Sequence, residues 1–296
     1  MSLFLVTAAA GKTGGAAVGH LLARGHRVRA MVRRDDDRSR ALAAAGAEVV
    51  RADLLDLDAV TAALDGVTGA YFCYPIREGL LDATVTFAQA ATETGVRSIV
   101  DMSQISARRE ARSNAARQHW LAERVFDRTG LLTTHLRPTF FAEWLTSWWE
   151  LRDGEGLLRL PFGDGRHAPI AAADQGRVIA AVLADPGPHA GASYSLHGPV
   201  ELNHHEIAEI MAGTLGIPVR YEPIGVEEFS TSMAARGLPA HLIQHLGNVA
   251  VDYRNGVFAG TNDIVERIGG VAPLSVEQFV LANKDSFAGN GPYFVA

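Results

Sequence analysis

The sequence predicts an α/β protein: the first half forms a doubly wound parallel sheet and the C-terminal half adds a smaller α/β part. Ala- and Leu-rich stretches at helical spacing alternate with β-rich runs, which implies crossover connections within a parallel sheet. A glycine closes each helical stretch of the first half, because glycine enters the left-handed conformation without steric cost. These glycines are Gly25, Gly46, Gly66, Gly95 and Gly130.

The predicted strands follow in order along the chain. They are LFLV at the N-terminus, HRVRAMV, AEVVRAD, VTGAYFCY, VRSIVDM and LLTTHLR. The runs AYFC and SIV are nearly continuous in apolar residues, as strands covered on both faces are. The first half therefore predicts six strands separated by helices.

The pattern changes after Arg137-Pro138, where an aromatic segment and a Gly/Pro-rich connection follow. Asp174 is the expected N-cap of the next helix, and residues 193–196 predict a further strand. Asn203 and Glu206 have the spacing of a capping box.

We expect two domains. Residues 1–150 form the first, with about 168–198 returning to its sheet, and residues 151–296 are mainly the smaller, substrate-binding part.

Composition excludes several classes of function. The chain of 296 residues has a net charge of −6, which disfavours nucleic acid as a partner. It has no apolar run long enough to span a bilayer. The single cysteine, Cys73, cannot form an internal disulfide and suits a reducing compartment. We therefore expect a cytoplasmic protein with no membrane or nucleic-acid partner.

The loop after the first strand is the most informative segment. The run VTAAAGKTGG leads from a strand into a helix, and small residues there let backbone N–H groups approach a pyrophosphate. A G-x-x-G-x-x-G pattern would need glycine at Ala8, Gly11 and Gly14, and two of the three match. In this context the loop predicts a Rossmann dinucleotide site; the alternative is a tight turn with no ligand.

The end of the second strand favours NADP(H) over NAD(H). An NAD site places Asp or Glu there for the ribose hydroxyls, whereas this chain has Ala30-Met31-Val32-Arg33-Arg34. An arginine can pair with the 2′-phosphate of NADP. The acidic residues Asp35 to Asp37 come later and are expected to open the next helix. Lys12 could add positive charge near the phosphates or be an exposed loop lysine.

The chain resembles the NmrA-like group of atypical short-chain dehydrogenases, and most of all its branch of type 2 NAD(P)H:quinone oxidoreductases and triphenylmethane reductases. The resemblance covers nearly the whole chain and rests on the order and spacing of its motifs. Besides the loop and AMVRR, it runs through ADLLD, AYFCYP, DMSQISA, HWLAERVFDRTGLLTTHLRPTFFAEW, AAADQGRVIAAVL, YSLHGPVELNHHEIAEIM and PLSVEQF. The loop departs from the family at Ala8, Ala10 and Lys12.

The resemblance implies a set of cofactor-binding residues. The loop from Thr7, with Ala8, to Gly14 would hold the pyrophosphate, Arg33 the 2′-phosphate, and Asp53 and Leu54 would lie beside the adenine. Tyr74 and Pro75 would line the path toward the nicotinamide, and residues 138–141 would flank the nicotinamide itself. By position, the implied residues are Thr7, Ala8, Gly11, Lys12, Thr13, Gly14, Arg33, Asp53, Leu54, Tyr74, Pro75, Pro138, Phe140 and Phe141.

The chemistry differs from that of most short-chain dehydrogenases. They carry a Tyr-x-x-x-Lys pair, and neither lysine of this chain, Lys12 or Lys284, lies four residues after a tyrosine. This absence disfavours epimerases and ordinary alcohol dehydrogenases. A quinone needs only to be stacked over the nicotinamide with water excluded.

Three polar residues are candidates for the reaction centre. His119 lies in a His-x-x-x-Glu pattern with Glu123 on one helix face. It is expected either to be catalytic, approaching the nicotinamide ribose or donating a proton to the reduced substrate, or to form a surface pair with Glu123. Ser103 and Gln104 close the fifth strand, where ligands of such sheets bind, so Ser103 is a catalytic and Gln104 a substrate candidate; a helix cap or loop role is the alternative.

The aromatic segment predicts a wall for a flat substrate. Phe141, Trp144, Leu145 and Trp148 fall at helical spacing, so Trp144 and Trp148 could line a pocket or belong to the core. The pair His204-His205 has no ligand set around it, so no metal is expected.

Three functions stay open at this point. The first is an NADPH-dependent oxidoreductase that transfers a hydride to a quinone or similar planar acceptor. The second is a non-catalytic redox sensor that binds NADP(H), and the third is a reductase of secondary metabolism acting on an imine or enone. The expected partner is a small aromatic or quinone-like substrate, and a homodimer is possible.

Overall fold

The computed structural model describes residues 2–292. With strands and helices numbered along the chain, its central sheet has seven parallel strands: β1 Leu3–Val6, β2 Arg27–Val32, β3 Glu48–Arg51, β4 Gly69–Phe72, β5 Ser98–Met102, β6 Leu132–Pro138 and β9 Ser193–Leu196. They neighbour each other in the order β3-β2-β1-β4-β5-β6-β9. The first six have the strand order of dinucleotide-binding sheets, so the predicted Rossmann fold is confirmed.

Six helices connect these strands: α1 Lys12–Ala23, α2 Asp37–Ala44, α3 Leu57–Leu64, α4 Leu80–Glu93, α5 Asn114–Asp127 and α7 Ala172–Ala184. One face of the sheet is sealed by an apolar cluster in which Phe72 of β4 packs 5.1 Å, between ring centroids, from both Phe87 of α4 and Phe126 of α5. Helix α1 lies on the other face, because Thr13 bonds to Tyr71, whose side chain alternates with that of Phe72.

Helices α1 and α7 pack against each other at unusually short range. A Cβ atom at Gly176 would lie 2.5 Å from the Cβ atom of Ala16, so only glycine fits there. Asp174, predicted as the N-cap of α7, lies instead in its first turn, because the helix begins at Ala172; this prediction was wrong.

The remaining elements form a second unit around a three-stranded sheet of order β10-β8-β7. Its strands are β7 Trp149–Arg152, β8 Glu155–Leu160 and β10 Val219–Pro223. Its helices are α6 Glu143–Ser147, α8 His204–Leu215, α9 Val226–Ala235, α10 Ala240–Arg254, α11 Ile264–Gly269 and α12 Val276–Ala282. The capping box of Asn203 and Glu206 at the start of α8 is confirmed.

Close packing divides the chain into two units. The first comprises Met1–Glu110, Ala115–Arg137 and Ala172–Ser195; the second comprises Ala111–Asn114, Pro138–Ala171 and Leu196–Ala296. The change therefore falls at Pro138, where β6 ends, and the return to the first unit starts at Ala172. The domain limits 1–150, about 168–198 and 151–296 stay predictions.

The aromatic segment does not form the single helix that its spacing indicated. Helix α6 spans only Glu143–Ser147, Trp148 is its C-cap, and Trp149 begins β7. None of the described helices combines the length and apolar character needed to cross a bilayer.

Candidate active site

The loop between β1 and α1 has the backbone shape of a phosphate cradle. Ala8 adopts a left-handed conformation, with φ of +47°, at the position where the pattern expects glycine. Its carbonyl oxygen accepts a hydrogen bond from Gly11 N over 2.8 Å. A Cβ atom at Gly14 would lie 2.4 Å from that same oxygen, so the helix can start this close to the strand only with glycine at position 14.

The N-terminus of α1 is suited to an anion. Its N-cap, Gly11, has no side chain to bond the first N–H groups, and the first turn contains no acidic residue. Lys12 is exposed beside it. The free N–H groups and the positive end of the helix dipole favour a phosphate here.

Two threonines of the loop are tied to the neighbouring strand end. Thr7 is fully buried, and its Oγ1 accepts a hydrogen bond from Cys73 N over 2.8 Å. The Thr13 hydroxyl lies 3.2 Å from the Tyr71 hydroxyl. Both side chains therefore fix the loop to the β4 segment, and a ligand would meet the backbone of the loop.

The residues after β2 fit a 2′-phosphate better than a free ribose. Arg33 and Arg34 are exposed and make no ion pair within residues 2–292. Asp36 is the N-cap of α2 and accepts a hydrogen bond from Ser39 N over 3.1 Å. The prediction that the acidic run opens this helix is confirmed, and the Asp36 carboxylate is committed to the cap.

The residues predicted beside the adenine and along the nicotinamide path follow β3 and β4. Asp53 is exposed and Oδ1 accepts a hydrogen bond from Leu55 N over 3.1 Å, while Leu54 packs half-buried on the apolar cluster. Tyr74 is buried; its hydroxyl donates to the Glu78 carbonyl over 3.0 Å and accepts from Arg77 Nε over 3.1 Å. Pro75 is exposed. Of these, Tyr74 already has its polar group satisfied by the protein.

The candidate His119 is buried, and so is Glu123 one turn later. His119 is 6% and Glu123 0% exposed, so the alternative of a surface His–Glu pair was wrong. Nδ1 of His119 has no hydrogen-bond partner, and burial lowers the pKa of His119 to about 4, although the nearby Glu123 carboxylate opposes this shift. The imidazole is therefore neutral at pH 7.

The end of β5 brings further polar groups together. Ser103 donates its hydroxyl hydrogen to Glu123 Oε1 over 2.6 Å, and Glu123 also pairs with Arg137. Gln104 Oε1 accepts a hydrogen bond from Ser106, while its Nε2 is buried without a partner. The orphaned atoms of His119 and Gln104 are the kind of group that a bound ligand satisfies.

The predicted residues of the second unit differ in accessibility. Pro138 ends β6 and is buried. Phe140 is buried in an aromatic cluster, stacked 4.7 Å from Phe258, and Trp148 packs 5.1 Å from Phe229. Phe141 and Trp144 are only half-buried. Trp148 thus belongs to the core, the alternative that the sequence left open for it, and Phe140 is buried as well. Phe141 and Trp144 keep exposed aromatic surface.

Sequence reasoning missed one feature of this region. The Thr139 hydroxyl is buried without a partner, although the residue lies between two predicted site residues. The two adjacent histidines point apart, as expected for neighbours on a helix: His204 Nδ1 bonds the buried Tyr253 hydroxyl over 3.2 Å, while His205 is exposed. Within residues 2–292 no group of three His, Cys, Asp or Glu side chains could hold a metal ion.

Known proteins similar to this chain include NAD(P)H-dependent oxidoreductases. NAD(P)H azoreductase of Xenophilus azovorans is 27% identical over 86% of this chain and 88% of its own length. Quinone oxidoreductase 2 of Escherichia coli is 26% identical over 80% of this chain and 82% of its own. The crystal structure of the latter type of enzyme with NADPH superposes with a TM-score of 0.83 at 24% identity, covering 95% of this chain and 99% of that one.

Triphenylmethane reductase of Citrobacter sp. has the same fold, with a TM-score of 0.82 at 22% identity over 97% of this chain and 99% of that one. The model of the NmrA-like family matches residues 1–270. The resemblance inferred from the sequence is confirmed, and the chain belongs to the NmrA-like family.

Proposed function

We propose that this protein is an NADPH-dependent oxidoreductase that transfers a hydride to a quinone or a similar planar conjugated acceptor. The observation that carries the proposal is a phosphate loop that tolerates only glycine at position 14, together with Arg33, an exposed arginine without an ion pair after β2. The similar curated proteins are an NAD(P)H azoreductase and a quinone oxidoreductase, which supports the class of acceptor.

The cofactor half of the site needs little from side chains. The backbone of Gly11 to Gly14, with Lys12, would hold the pyrophosphate at the start of α1, and Arg33 would pair with the 2′-phosphate. Asp53 and Leu54 would border the adenine, with Tyr74 and Pro75 along the path to the nicotinamide. When bound, NADPH supplies the hydride.

His119 would orient a ligand and would not act as an acid. A histidine whose pKa is about 4 carries no transferable imidazolium proton at pH 7, so one ring nitrogen donates and the other accepts a hydrogen bond. The unpartnered Nδ1 and the Nε2 amide of Gln104 would then bind the nicotinamide ribose or the acceptor. The proton for the reduced acceptor would come from water.

The aromatic residues after β6 would contact the acceptor through their exposed parts. We expect Trp144, half-buried against Phe140 at 4.9 Å, to offer an indole surface for stacking. Phe141 would offer a second such surface, while Pro138, Phe140 and Trp148 support these two from the core.

The test is a binding and turnover experiment on the purified chain. We expect NADPH to bind more tightly than NADH, and addition of a benzoquinone or naphthoquinone to oxidise NADPH rapidly. Tight binding without turnover on several quinones, azo dyes and triphenylmethane dyes would refute the reductase and favour a redox sensor or a biosynthetic imine or enone reductase. Failure to bind either nucleotide would refute the cofactor site itself.

Location and assembly follow as finer proposals. The single cysteine supports a reducing, cytoplasmic location. A homodimer is supported by exposed apolar residues on two neighbouring helices, Val85 of α4 and Leu121 of α5. Light scattering would distinguish a mass of 31.6 kDa from twice that value.

A further inference from the structure

Three side chains of the first unit form a hydrogen-bonded network at the end of β5, in which Ser103 and Glu123 are buried and Arg137 is half-buried. Ser103 donates its hydroxyl hydrogen to Glu123 Oε1 over 2.6 Å. Arg137 donates through Nε to the same oxygen over 2.8 Å and through its Nη2 to Oε2. Two N–H···O bonds from one guanidinium form a strong pair of fixed geometry, so Arg137 holds Glu123 and Glu123 holds Ser103.

These hydrogen bonds leave the Ser103 side chain almost no freedom to rotate. Glu123 comes from α5 and Arg137 from β6, while the backbone N–H of Ser103 donates to the Leu136 carbonyl over 2.8 Å. Ser103 is only 4% exposed. Rotating its hydroxyl away would leave a buried carboxylate short of a donor, which is costly.

The direction of these bonds decides what Ser103 can offer a ligand. A serine hydroxyl has one hydrogen and two lone pairs, and a carboxylate can only accept. The hydrogen is therefore used by Glu123, and only lone pairs are left. Ser103 lies at the carboxyl end of its strand, where ligands of doubly wound sheets bind.

We propose that Glu123 is a positioning residue for the reductase, because by binding the hydroxyl hydrogen of Ser103 it makes Ser103 an acceptor for a donor group on the nicotinamide half of the dinucleotide. The donor is the carboxamide NH2 or a ribose hydroxyl. The inference rests on the proposed function, since it needs Ser103 beside the nicotinamide. In this arrangement Ser103 transfers no proton, and Arg137 holds the Glu123 carboxylate in place.

The test compares NADP+ affinity and melting temperature in a small set of variants. Ser103→Ala should raise the Kd about 5- to 10-fold, the size expected for one hydrogen bond. Glu123→Gln should raise it too, because the amide NH2 of glutamine can donate to Ser103, so the hydroxyl is no longer restricted to accepting from the ligand. The double variant should bind no more weakly than the weaker-binding single variant, because Glu123 acts on the ligand only through the Ser103 hydroxyl. Ser103→Thr keeps the hydroxyl and should restore nearly the original Kd.

A control on the same helix separates positioning from stability. Asp127 of α5 accepts hydrogen bonds from His135 Nε2 over 3.0 Å and from Arg124 Nε over 2.8 Å, and no hydrogen bond joins it to Ser103 or Glu123; Arg124 itself lies 3.5 Å from Glu123 Oε2. Asp127→Asn should lower the melting temperature and leave the Kd unchanged. If Glu123→Gln does not fold, Arg137→Lys carries the same test, because it keeps the charge and loses the two-bond geometry; it should raise the Kd by less than Ser103→Ala does.

An analogue of NADP+ with a 3-acetylpyridine ring identifies the donor, since it lacks the carboxamide NH2. If Ser103→Ala binds this analogue as well as the unmodified protein does, the donor is the carboxamide; an equal loss for both ligands identifies the ribose hydroxyl. An unchanged Kd in the folded Glu123→Gln or Arg137→Lys variant, or effects that multiply in the double variant, would overturn the positioning role. An unchanged Kd in Ser103→Ala would instead show that Ser103 is not beside the nicotinamide, a failure of the proposed function.

Discussion

Replacing Ala8 by glycine should stabilise the protein, because Ala8 is the strained residue of the phosphate loop. Its φ of +47° lies in the left-handed region, which costs an L-residue about 1–2 kcal/mol and glycine nothing. The greater freedom of glycine in the unfolded chain takes back about 0.4–1 kcal/mol. We therefore expect a net gain of about 0.5–1 kcal/mol, or roughly 1–3 °C in melting temperature for a chain of this size.

The assay is a thermal melt of Ala8→Gly beside a control from the same loop. Ala10 has no positive φ, so Ala10→Gly relieves no strain and only adds freedom to the unfolded chain. The control should lose about 0.4–1 kcal/mol. The two variants should therefore move the melting temperature in opposite directions, although both replace alanine by glycine two residues apart.

The same pair reports on cofactor binding. Removing the Ala8 methyl group leaves the carbonyl that accepts from Gly11 N in place, so Ala8→Gly should bind NADPH at least as tightly as the unmodified protein. A melting temperature that falls in Ala8→Gly by as much as in Ala10→Gly would refute the reasoning, since it would mean that the left-handed alanine carries no strain.

Three further predictions follow from the site. Arg33→Ala should weaken NADPH binding about 10- to 100-fold, because a hydrogen bond between charged groups is lost, and should leave NADH binding unchanged. Arg38→Ala, which breaks an exposed pair with Asp36, should change neither Kd. Gly14→Ala should destabilise the protein by about 1–3 kcal/mol through the contact with the Ala8 carbonyl and abolish nucleotide binding, whereas Gly19→Ala on the same helix, with nothing near its added Cβ atom, should be neutral or stabilising. Below pH 6.5 His119 binds a proton in the unfolded chain but not in the folded protein, where its pKa is about 4, so the free energy of unfolding should fall as the pH falls. His119 alone should account for roughly 2 kcal/mol of this fall between pH 7.5 and pH 5. Denaturant unfolding of His119→Asn should show a weaker dependence of this free energy on pH over that range, and an unchanged dependence would contradict the assignment.

The sequence was sufficient for the features that depend on local geometry. All five glycines expected to close helices have positive φ, and the capping box of Asn203 and Glu206 forms as predicted. Alternation of helix and strand then determined the parallel sheet. The aromatic segment was less predictable: its spacing fits a helix to Trp148, but Trp149 and the residues after it pair with β8, and strand pairing with a distant partner leaves no mark on local periodicity.

Glu123 shows most clearly where sequence reasoning stops. Helical spacing correctly placed His119 and Glu123 on one face of α5, but it could not say what that face meets. In the structure the Glu123 carboxylate accepts hydrogen bonds from Ser103, twenty residues earlier, and from Arg137, fourteen residues later on the next strand. The carboxylate that looked like a partner for a proton-donating histidine is thus committed elsewhere, while burial keeps the histidine neutral. A site with a neutral imidazole and a hydroxyl restricted to accepting can orient a dinucleotide, and such a site suits acceptors, such as quinones, that take a hydride without an acid beside them.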